Sequence, residues 1–411
     1  MFSKSSSSEG STQRLVSLCV WYFLFYVLTG ISVKYFQGNP KDGLLGFSGF
    51  EFLVYSTIGG QLICLLVVLF GGWYKLEVTK KVKFLGMNVP VELLYIIPSG
   101  ICTAVVIPTT TLMYSLPISV MVAMIIMRGS IIIISRIIDS IQIHQGLLKK
   151  KVYAEENLGV FFSVLAIGSY LFWAKADGFD FLKSTAALTI LGSYLFAYSI
   201  RIYIMNYFKN TASKGVKRDN KVYFGIEQIA AGLTLAIVTL LIYFSPTLFG
   251  VDNPQINEVI KAFDSPRSEW PGAILAGMAF GMVAFFSVFL FMFKGRTATF
   301  AGLVNRLTSL VAGTAATLIS YFVFNGKFPS QSDWISLVLI FVAVWFIAKA
   351  EKKRAKELAE TKELEGASDR KNAEKGDVRV EKRDYLVDPS LVANNQNKAN
   401  QTATSFSNKT I

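Results

Sequence analysis

Ten apolar segments of membrane-spanning length constrain the fold of this 411-residue chain more than any other feature. A helix that crosses a bilayer needs roughly 17–25 predominantly apolar residues. The segments are Leu15–Tyr35, Phe50–Phe70, Val91–Tyr114, Ile118–Ile138, Leu158–Ala174, Ser184–Phe208, Val222–Phe244, Gly272–Phe293, Ala298–Val323 and Trp334–Ala350. The sequence therefore predicts an all-α polytopic membrane protein with ten transmembrane helices, the last of which can continue as a helix beyond the membrane.

The composition favours the same class of protein. Hydrophobic residues make up 52% of the chain and aromatic residues 14%, as in polytopic membrane proteins. The formal net charge of +13 does not indicate nucleic-acid binding, because the basic residues lie in short loops between apolar segments. The chain has one histidine and three cysteines, and their spacing is not that of a metal site. We expect no enzymatic activity, no cofactor and no bound metal.

The distribution of lysine and arginine predicts the orientation of the chain. Sixteen basic residues lie in the N-terminal segment and in the loops on one side, whereas six lie in the loops on the other side. Because cytosolic loops carry the excess of lysine and arginine, both termini are predicted to be cytosolic. The sequence leaves open whether the membrane is a cell (inner) membrane or a Golgi or other endomembrane.

Two unusually short connections suggest how the segments are organised. Segments three and four meet at residues 115–117, and segments eight and nine meet at residues 294–296. If each half of the chain has five segments, the two short connections occupy equivalent positions in the two halves and have opposite orientations. This arrangement predicts two inverted five-helix halves. The predicted organisation is a disordered cytosolic N-terminus (1–14), a first half (15–174), a second half (175–350) and a charged, largely disordered cytosolic tail (351–411).

Two of the apolar segments carry an arginine at a matching position. Arg128 lies nine residues after Ser119, and Arg306 lies nine residues after Thr297. Placing a guanidinium in lipid costs roughly 2.5–3.5 kcal/mol on insertion scales, so such a residue is expected to face a cavity. Matched charged segments in two halves favour a transporter whose site lies between the repeats. The alternative is two unrelated arginines that snorkel to the headgroups.

Polar neighbours extend this candidate substrate site. A hydroxyl follows each arginine two residues later, at Ser130 and Thr308, and Asn305 directly precedes Arg306. Glu227 lies about one turn inside the cytosolic end of segment seven. It could pair with a nearby arginine, Arg136 or Arg201, or carry a coupling proton. We favour the ion pair.

Other residues in the segments suggest helix packing or anchoring. The threonines at 109–111 could face substrate or bond back to their own helix. Gly277 and Gly281 form a G-x-x-x-G pattern, which predicts a close contact between helices. Lys34, near the outer end of the first segment, is expected to snorkel to the headgroups.

Two short motifs resemble a known superfamily. Gly302-Leu303-Val304-Asn305-Arg306 is similar to the Gly-Ala-Leu-Asn-Lys motif of GDP-mannose transporters. Residues 127–132, Met-Arg-Gly-Ser-Ile-Ile, resemble the Leu-Arg-Gly-Ser/Ala-Val-Ile stretch of the chloroquine-resistance-transporter-like branch. With its ten segments, the region 15–350 resembles the drug/metabolite transporter superfamily. The resemblance implies that Gly302, Asn305 and Arg306 form part of a substrate site.

These features together predict a secondary transporter that works by alternating access. Two arginines favour a small anionic substrate, such as a nucleotide sugar or a phosphorylated or carboxylated compound, because guanidinium binds such groups in bidentate geometry. The alternatives are a proton-coupled exporter of amphipathic or cationic compounds that uses Glu227, a membrane enzyme, or a scaffold that acts through its tail. The expected partners are the substrate and the lipid bilayer but no nucleic acid, and a homodimer is left open.

Overall fold

The computed structural model describes residues 12–76, 81–84, 86–147, 152–173, 181–211, 219–292 and 298–374. Within them the chain forms eleven α-helices and one two-stranded sheet. The helices are α1 (Thr12–Gln37), α2 (Gly49–Gly71), α3 (Val91–Ser115), α4 (Val120–His144), α5 (Ala154–Trp173), α6 (Thr185–Asn210), α7 (Asn220–Phe249), α8 (Pro254–Asp264), α9 (Trp270–Phe291), α10 (Ala298–Phe324) and α11 (Gln331–Glu374). The antiparallel strands β1 (Lys81–Phe84) and β2 (Met87–Pro90) form a hairpin between α2 and α3.

Nine helices within the described residues are long and apolar enough to cross a membrane, namely α1–α4, α6, α7 and α9–α11. The chain is therefore an integral multi-pass membrane protein. Each of the ten predicted segments overlaps a helix, and α5 is the one outside the nine. The predicted continuation of the last helix is confirmed, because α11 runs without a break to Glu374.

Three predictions fall wholly or partly on residues outside those described. They concern most of the N-terminal segment, the short connection at 294–296, and the end of the tail after residue 374. Two described elements were not predicted, namely the β1–β2 hairpin and α8. The four-residue strands are too short for the periodicity of the sequence to mark them. The signals for α8 were present but missed, namely Asn253-Pro254 as a helix start and the apolar residues Ile256, Val259, Ile260 and Phe263 at helical spacing.

The most enclosed of the nine helices is α4, which contacts α5, α6 and α10. Small residues allow α1 and α10 to approach it. A methyl group added at Gly30 of α1 would lie 2.8 Å from the side chain of Ala316 and 3.1 Å from that of Val120. Gly313 of α10 faces Met124 of α4 in the same way. These contacts hold the two arginine-bearing helices, α4 and α10, side by side.

The predicted G-x-x-x-G contact is confirmed, and its partner is α2. A side chain at Gly277 would collide with the backbone of Ser56, and one at Gly281 would collide with the carbonyl oxygen of Gly60. Gly59 lies equally close to the carbonyl of Ile274. The two backbones thus meet through small residues on both helices, as is common where lipid-exposed helices associate.

We expect Gly277→Val to destabilise the fold by about 1–3 kcal/mol or more, because the added side chain meets backbone that cannot move aside. The measurement is the thermal unfolding midpoint of purified protein in detergent. Gly192→Val is the matched control, since a side chain at Gly192 of α6 enters open space. An equal loss in both variants would mean that helix propensity, rather than the α2–α9 contact, sets the cost.

Candidate functional site

Arg128 lies in the N-terminal half of α4, buried among tyrosines. Its guanidinium donates to the hydroxyl of Tyr26 and, at 3.4 Å, to that of Tyr194. The guanidinium carbon also lies 5.4 Å from the centroid of the Tyr26 ring, a cation–π distance. Tyr114 donates to the hydroxyl of Tyr26 at 3.2 Å. The arginine therefore lies in the protein interior and is held by neutral groups.

Five tyrosines of α1, α3 and α6 surround this guanidinium, and we call them the tyrosine cage. They are Tyr22, Tyr26, Tyr114, Tyr194 and Tyr198. All are buried, and two pairs are in ring contact with centroids 5.1 Å and 5.3 Å apart. Sequence reasoning missed the cage, although the two pairs on α1 and α6 are each spaced i, i+4. That spacing places both rings on one helix face and could have indicated it.

Arg306 of α10 is buried nearer to the C-terminal half of α4. It donates to the hydroxyl of Ser135, and Asp139, one turn further along α4, lies within electrostatic range. These residues and Glu156 of α5 line a void of only about 20 Å³.

Tyr194 and Tyr198 of the cage lie within electrostatic range of both Arg128 and Arg306. The structure thus brings the two predicted arginines into one polar region.

The two arginines share one property that concerns ion pairs. Within the described part of the chain, no ion pair joins either guanidinium to a carboxylate. The Nε atoms of both have no hydrogen-bond partner there. Arg201 and Arg354, the other two arginines buried in that part, each pair with a glutamate. A buried charge without a carboxylate in contact is costly, and Asp139 lies within electrostatic range of Arg306 but forms no ion pair with it among the described residues. This difference in ion pairing separates Arg128 and Arg306 from Arg201 and Arg354.

The side chain of Asn305 lies in the same polar region as Arg128 and Arg306. Its Oδ1 accepts from Tyr22 at 3.3 Å, and its Nδ2 donates to Ser287 of α9 at 3.1 Å. A chain of contacts therefore runs from Asn305 through Tyr22 and Tyr26 to Arg128. The Asn305 side chain therefore links α1, α9 and α10, and it has a packing role in addition to its place in the candidate site.

Two other predicted site residues, Thr308 and Ser130, are not part of this chain of contacts. Thr308 donates to the carbonyl of Val304 on its own helix at 2.8 Å. Ser130 is half-buried on α4, and its neighbour Gly129 faces α5 and α11. Gly302 falls within α10, but its surroundings lie outside the described residues.

Glu227 forms the predicted ion pair, and its partner is Arg201. The two contacts are 2.8 Å from Nε to Oε1 and 2.9 Å from Nη2 to Oε2, a bidentate geometry with both side chains buried. Ser99 of α3 donates to Oε1 at 2.7 Å and also contacts the hydroxyl of Tyr223. Arg136, the other partner considered, instead bonds to neighbours on α4 and α5. The pair joins α3, α6 and α7.

The threonines at 109–111 bond back to their own helix. Their hydroxyls donate to the carbonyls of Val105, Val106 and Ile107 at 2.7–3.4 Å. Of the two interpretations left open by the sequence, the structure supports this one.

The prediction for Lys34 is wrong. Its ammonium donates to the carbonyls of Tyr114 at 2.9 Å and Ile118 at 3.0 Å, so it is held by the protein backbone. Carbonyls at the end of α3 lack partners within the helix, and Pro117 in the connection to α4 offers no N–H. Lys34 donates hydrogen bonds to the carbonyls of Tyr114 and Ile118, and it thereby links the end of α1 to the α3–α4 hairpin.

A cavity of about 600 Å³ lies beside this lysine. It is lined by the C-terminal ends of α1 and α10 and by the α3–α4 connection. Its polar lining residues include Lys34, Gln37, Asp42, Ser115, Thr317 and Lys327. Its volume suits a small-molecule ligand.

Ion pairs join α5 to α11 at the opposite end of the bundle. Glu156 contacts Arg354 with both side chains buried, and Glu155 contacts Lys353 at 2.9 Å with the lysine 55% exposed. The beginning of the charged tail thus contacts the bundle.

Arg354→Gln is expected to lower the free energy of unfolding by about 1–3 kcal/mol, because the buried carboxylate of Glu156 loses a charged donor. Lys353→Gln is the matched control and should cost no more than about 1 kcal/mol, since an exposed pair is screened by water. Truncation after Glu365 keeps both pairs and should leave expression near normal. Thermal unfolding in detergent measures all three, and a truncated chain that no longer inserts into the membrane would contradict the prediction.

Comparisons with known proteins do not identify the chain. No protein-family model matches it, and no curated protein matches it. A solved structure described only as "Crystal structure of protein" is 13% identical, with 84% of this chain and 99% of that chain covered and a TM-score of 0.43. A similarity at this level does not indicate a function.

Proposed function

We propose that the protein is a secondary transporter of a small anionic metabolite and a member of the drug/metabolite transporter superfamily. The observation that carries this proposal is the pair of buried guanidiniums, Arg128 and Arg306, neither of which has a carboxylate in ion-pair contact within the described residues. Two such charges inside a membrane raise the free energy of the protein, and an anion that binds between them would lower it. A phosphate or carboxylate group would meet the unbonded Nε atoms and the tyrosine hydroxyls.

The packing of the helices supports an architecture of two inverted halves, α1–α5 and α6–α11 without α8. If α1–α5 correspond in order to α6, α7, α9, α10 and α11, three of the major contacts have a counterpart in which the halves are exchanged. The α1–α9 contact corresponds to the α6–α3 contact. In the same way, the α1–α10 contact corresponds to the α6–α4 contact, and the α2–α9 contact corresponds to the α7–α3 contact. In this scheme α4 and α10 are equivalent, and Arg128 and Arg306 occupy matching places, each about a third of the way along its helix. Transporters of this kind bind substrate between their two repeats.

A cavity at one end of the bundle is compatible with alternating access. Among the described residues, the end at which α1, α3 and α10 finish holds the cavity of about 600 Å³, and a void of about 20 Å³ lies beside Arg306. With both termini in the cytosol, as the lysine and arginine distribution predicts, the large cavity is external. We infer that it is the outer access route, in which two lysines, Lys34 and Lys327, outnumber one aspartate, Asp42.

The main alternative, a proton-coupled exporter of cationic compounds, receives less support. It requires a carboxylate that can exchange its proton, and Glu227 was the candidate. In the structure Glu227 is fully buried and held by both Arg201 and Ser99. A cationic substrate would also have to approach two buried guanidiniums.

The test is counterflow exchange in proteoliposomes that contain the purified protein. The panel consists of nucleotide sugars, sugar phosphates, dicarboxylates, amino acids and organic cations. We expect exchange of at least one phosphate- or carboxylate-bearing compound and none of the cations. Exchange of cations alone, driven by a pH gradient, would overturn the proposal in favour of the exporter.

A further inference from the structure

The β1–β2 hairpin has two chemically different faces. Its register pairs Val82 with Val89 and Phe84 with Met87, whereas Lys81 pairs with Pro90 and Lys83 with Asn88. Directly opposed residues of an antiparallel pair lie on the same face of the sheet, and adjacent residues lie on opposite faces. One face of the hairpin is therefore wholly apolar, and the other carries both lysines.

The apolar face becomes more exposed towards the tip of the hairpin. Val82 and Val89 at its base are half-buried, whereas Phe84 is 49% exposed and Met87 is 63% exposed. Single exposed apolar residues are common on protein surfaces. Here four of them share one face, and Gly86, with φ of 82°, turns the chain so that the two at the tip lie side by side.

The position of the hairpin in the chain places it at the boundary of the membrane. Pro90, the last residue of β2, is the N-cap of α3, which crosses the membrane. A strand of four residues is about 13 Å long, so no part of the hairpin can lie far from the end of that helix. The apolar face is thus within reach of the acyl chains just below the headgroups.

The charge of the hairpin indicates which lipids it contacts. Residues 81–90 include no acidic side chain, and Lys81 and Lys83 are exposed, as is Lys75 before them. The lysine and arginine distribution places this loop on the cytosolic side, where the leaflet carries anionic lipids. Apolar residues beside lysines are the combination that binds such a surface.

We propose that the hairpin of residues 81–90 docks on anionic lipid headgroups of the cytosolic leaflet. In this arrangement Phe84 and Met87 insert below the headgroups, and Lys81 and Lys83 contact lipid phosphates and carboxylates. The docked hairpin anchors the start of α3 at a fixed depth.

The test uses a nitroxide label on the full-length protein in lipid nanodiscs. The three native cysteines are free thiols, so they can be replaced by alanine without loss of a disulfide. One variant carries the label at Met87 on the apolar face, and its matched control carries it at the adjacent Asn88 on the polar face. Collision with oxygen, which partitions into lipid, is compared with collision with a water-soluble nickel chelate. Discs contain phosphatidylcholine alone or with phosphatidylserine.

We expect the Met87 label to collide mainly with oxygen and the Asn88 label mainly with nickel, with the difference increasing when phosphatidylserine is present. Lys81→Gln with Lys83→Gln should abolish that increase. Equal nickel accessibility of both labels in phosphatidylserine discs would overturn the proposal and indicate a solvated loop or a protein-binding surface. A Met87 label that is equally deep in both lipids would overturn the requirement for anionic headgroups.

Discussion

Arg306→Gln should weaken binding of the transported anion by about ten- to a hundredfold. A charge-assisted hydrogen bond contributes roughly 1.5–3 kcal/mol, and glutamine removes the charge while keeping a polar side chain of similar reach. Arg306→Lys keeps the charge and should retain partial binding. The measurement is the Kd of purified protein for a compound found in the exchange screen. Unchanged affinity in Arg306→Gln would refute the site.

Arg128 is expected to be less tolerant of lysine than Arg306. Its guanidinium contacts two hydroxyls on different helices, Tyr26 and Tyr194, and an ammonium has no planar fork to span them. Arg128→Lys should therefore lose most binding, whereas Arg306→Lys loses only part. Arg267→Gln is the control for a general effect of charge, since Arg267 is 44% exposed and pairs with Glu51. A fall in affinity of equal size in the control would indicate long-range electrostatics instead of a bound anion.

Glu227→Gln should sharply reduce the yield of folded protein. The change leaves Arg201 buried without its counter-charge, and breaking a buried pair from one side costs roughly 3–5 kcal/mol. The measurement is the thermal unfolding midpoint and the monodisperse fraction in detergent.

The double variant Arg201→Met with Glu227→Leu separates the ion pair from proton coupling. Removing both charges leaves no unpaired ion, so the double variant should regain much of the stability that Glu227→Gln loses. A structural pair predicts that the rescued protein still exchanges anions at near-normal rates. Loss of transport driven by a pH gradient in a stable double variant would instead identify Glu227 as a coupling group. Wild-type stability of Glu227→Gln would contradict the structural role.

The sequence by itself determined the class of the protein. Length and apolarity of a segment are local properties, and a bilayer admits helices of that length, so the predicted segments coincide with helices of the structure. The pairing of Glu227 with an arginine and the close contact at Gly277 and Gly281 were also predictable. A buried carboxylate needs a cation, and adjacent small residues on one helix face need a partner helix.

The tertiary structure alone decided which groups meet. Asn305 contacts Tyr22 across 283 residues of sequence, and Lys34 bonds to carbonyls 80 and 84 residues away. No local pattern contains such pairings, because each depends on the packing of α1 against helices from both halves of the chain. The same holds for the arginines. The sequence predicted that Arg128 and Arg306 would face a cavity, but only packing could show that two glutamates neutralise Arg201 and Arg354 while Arg128 lies among tyrosines.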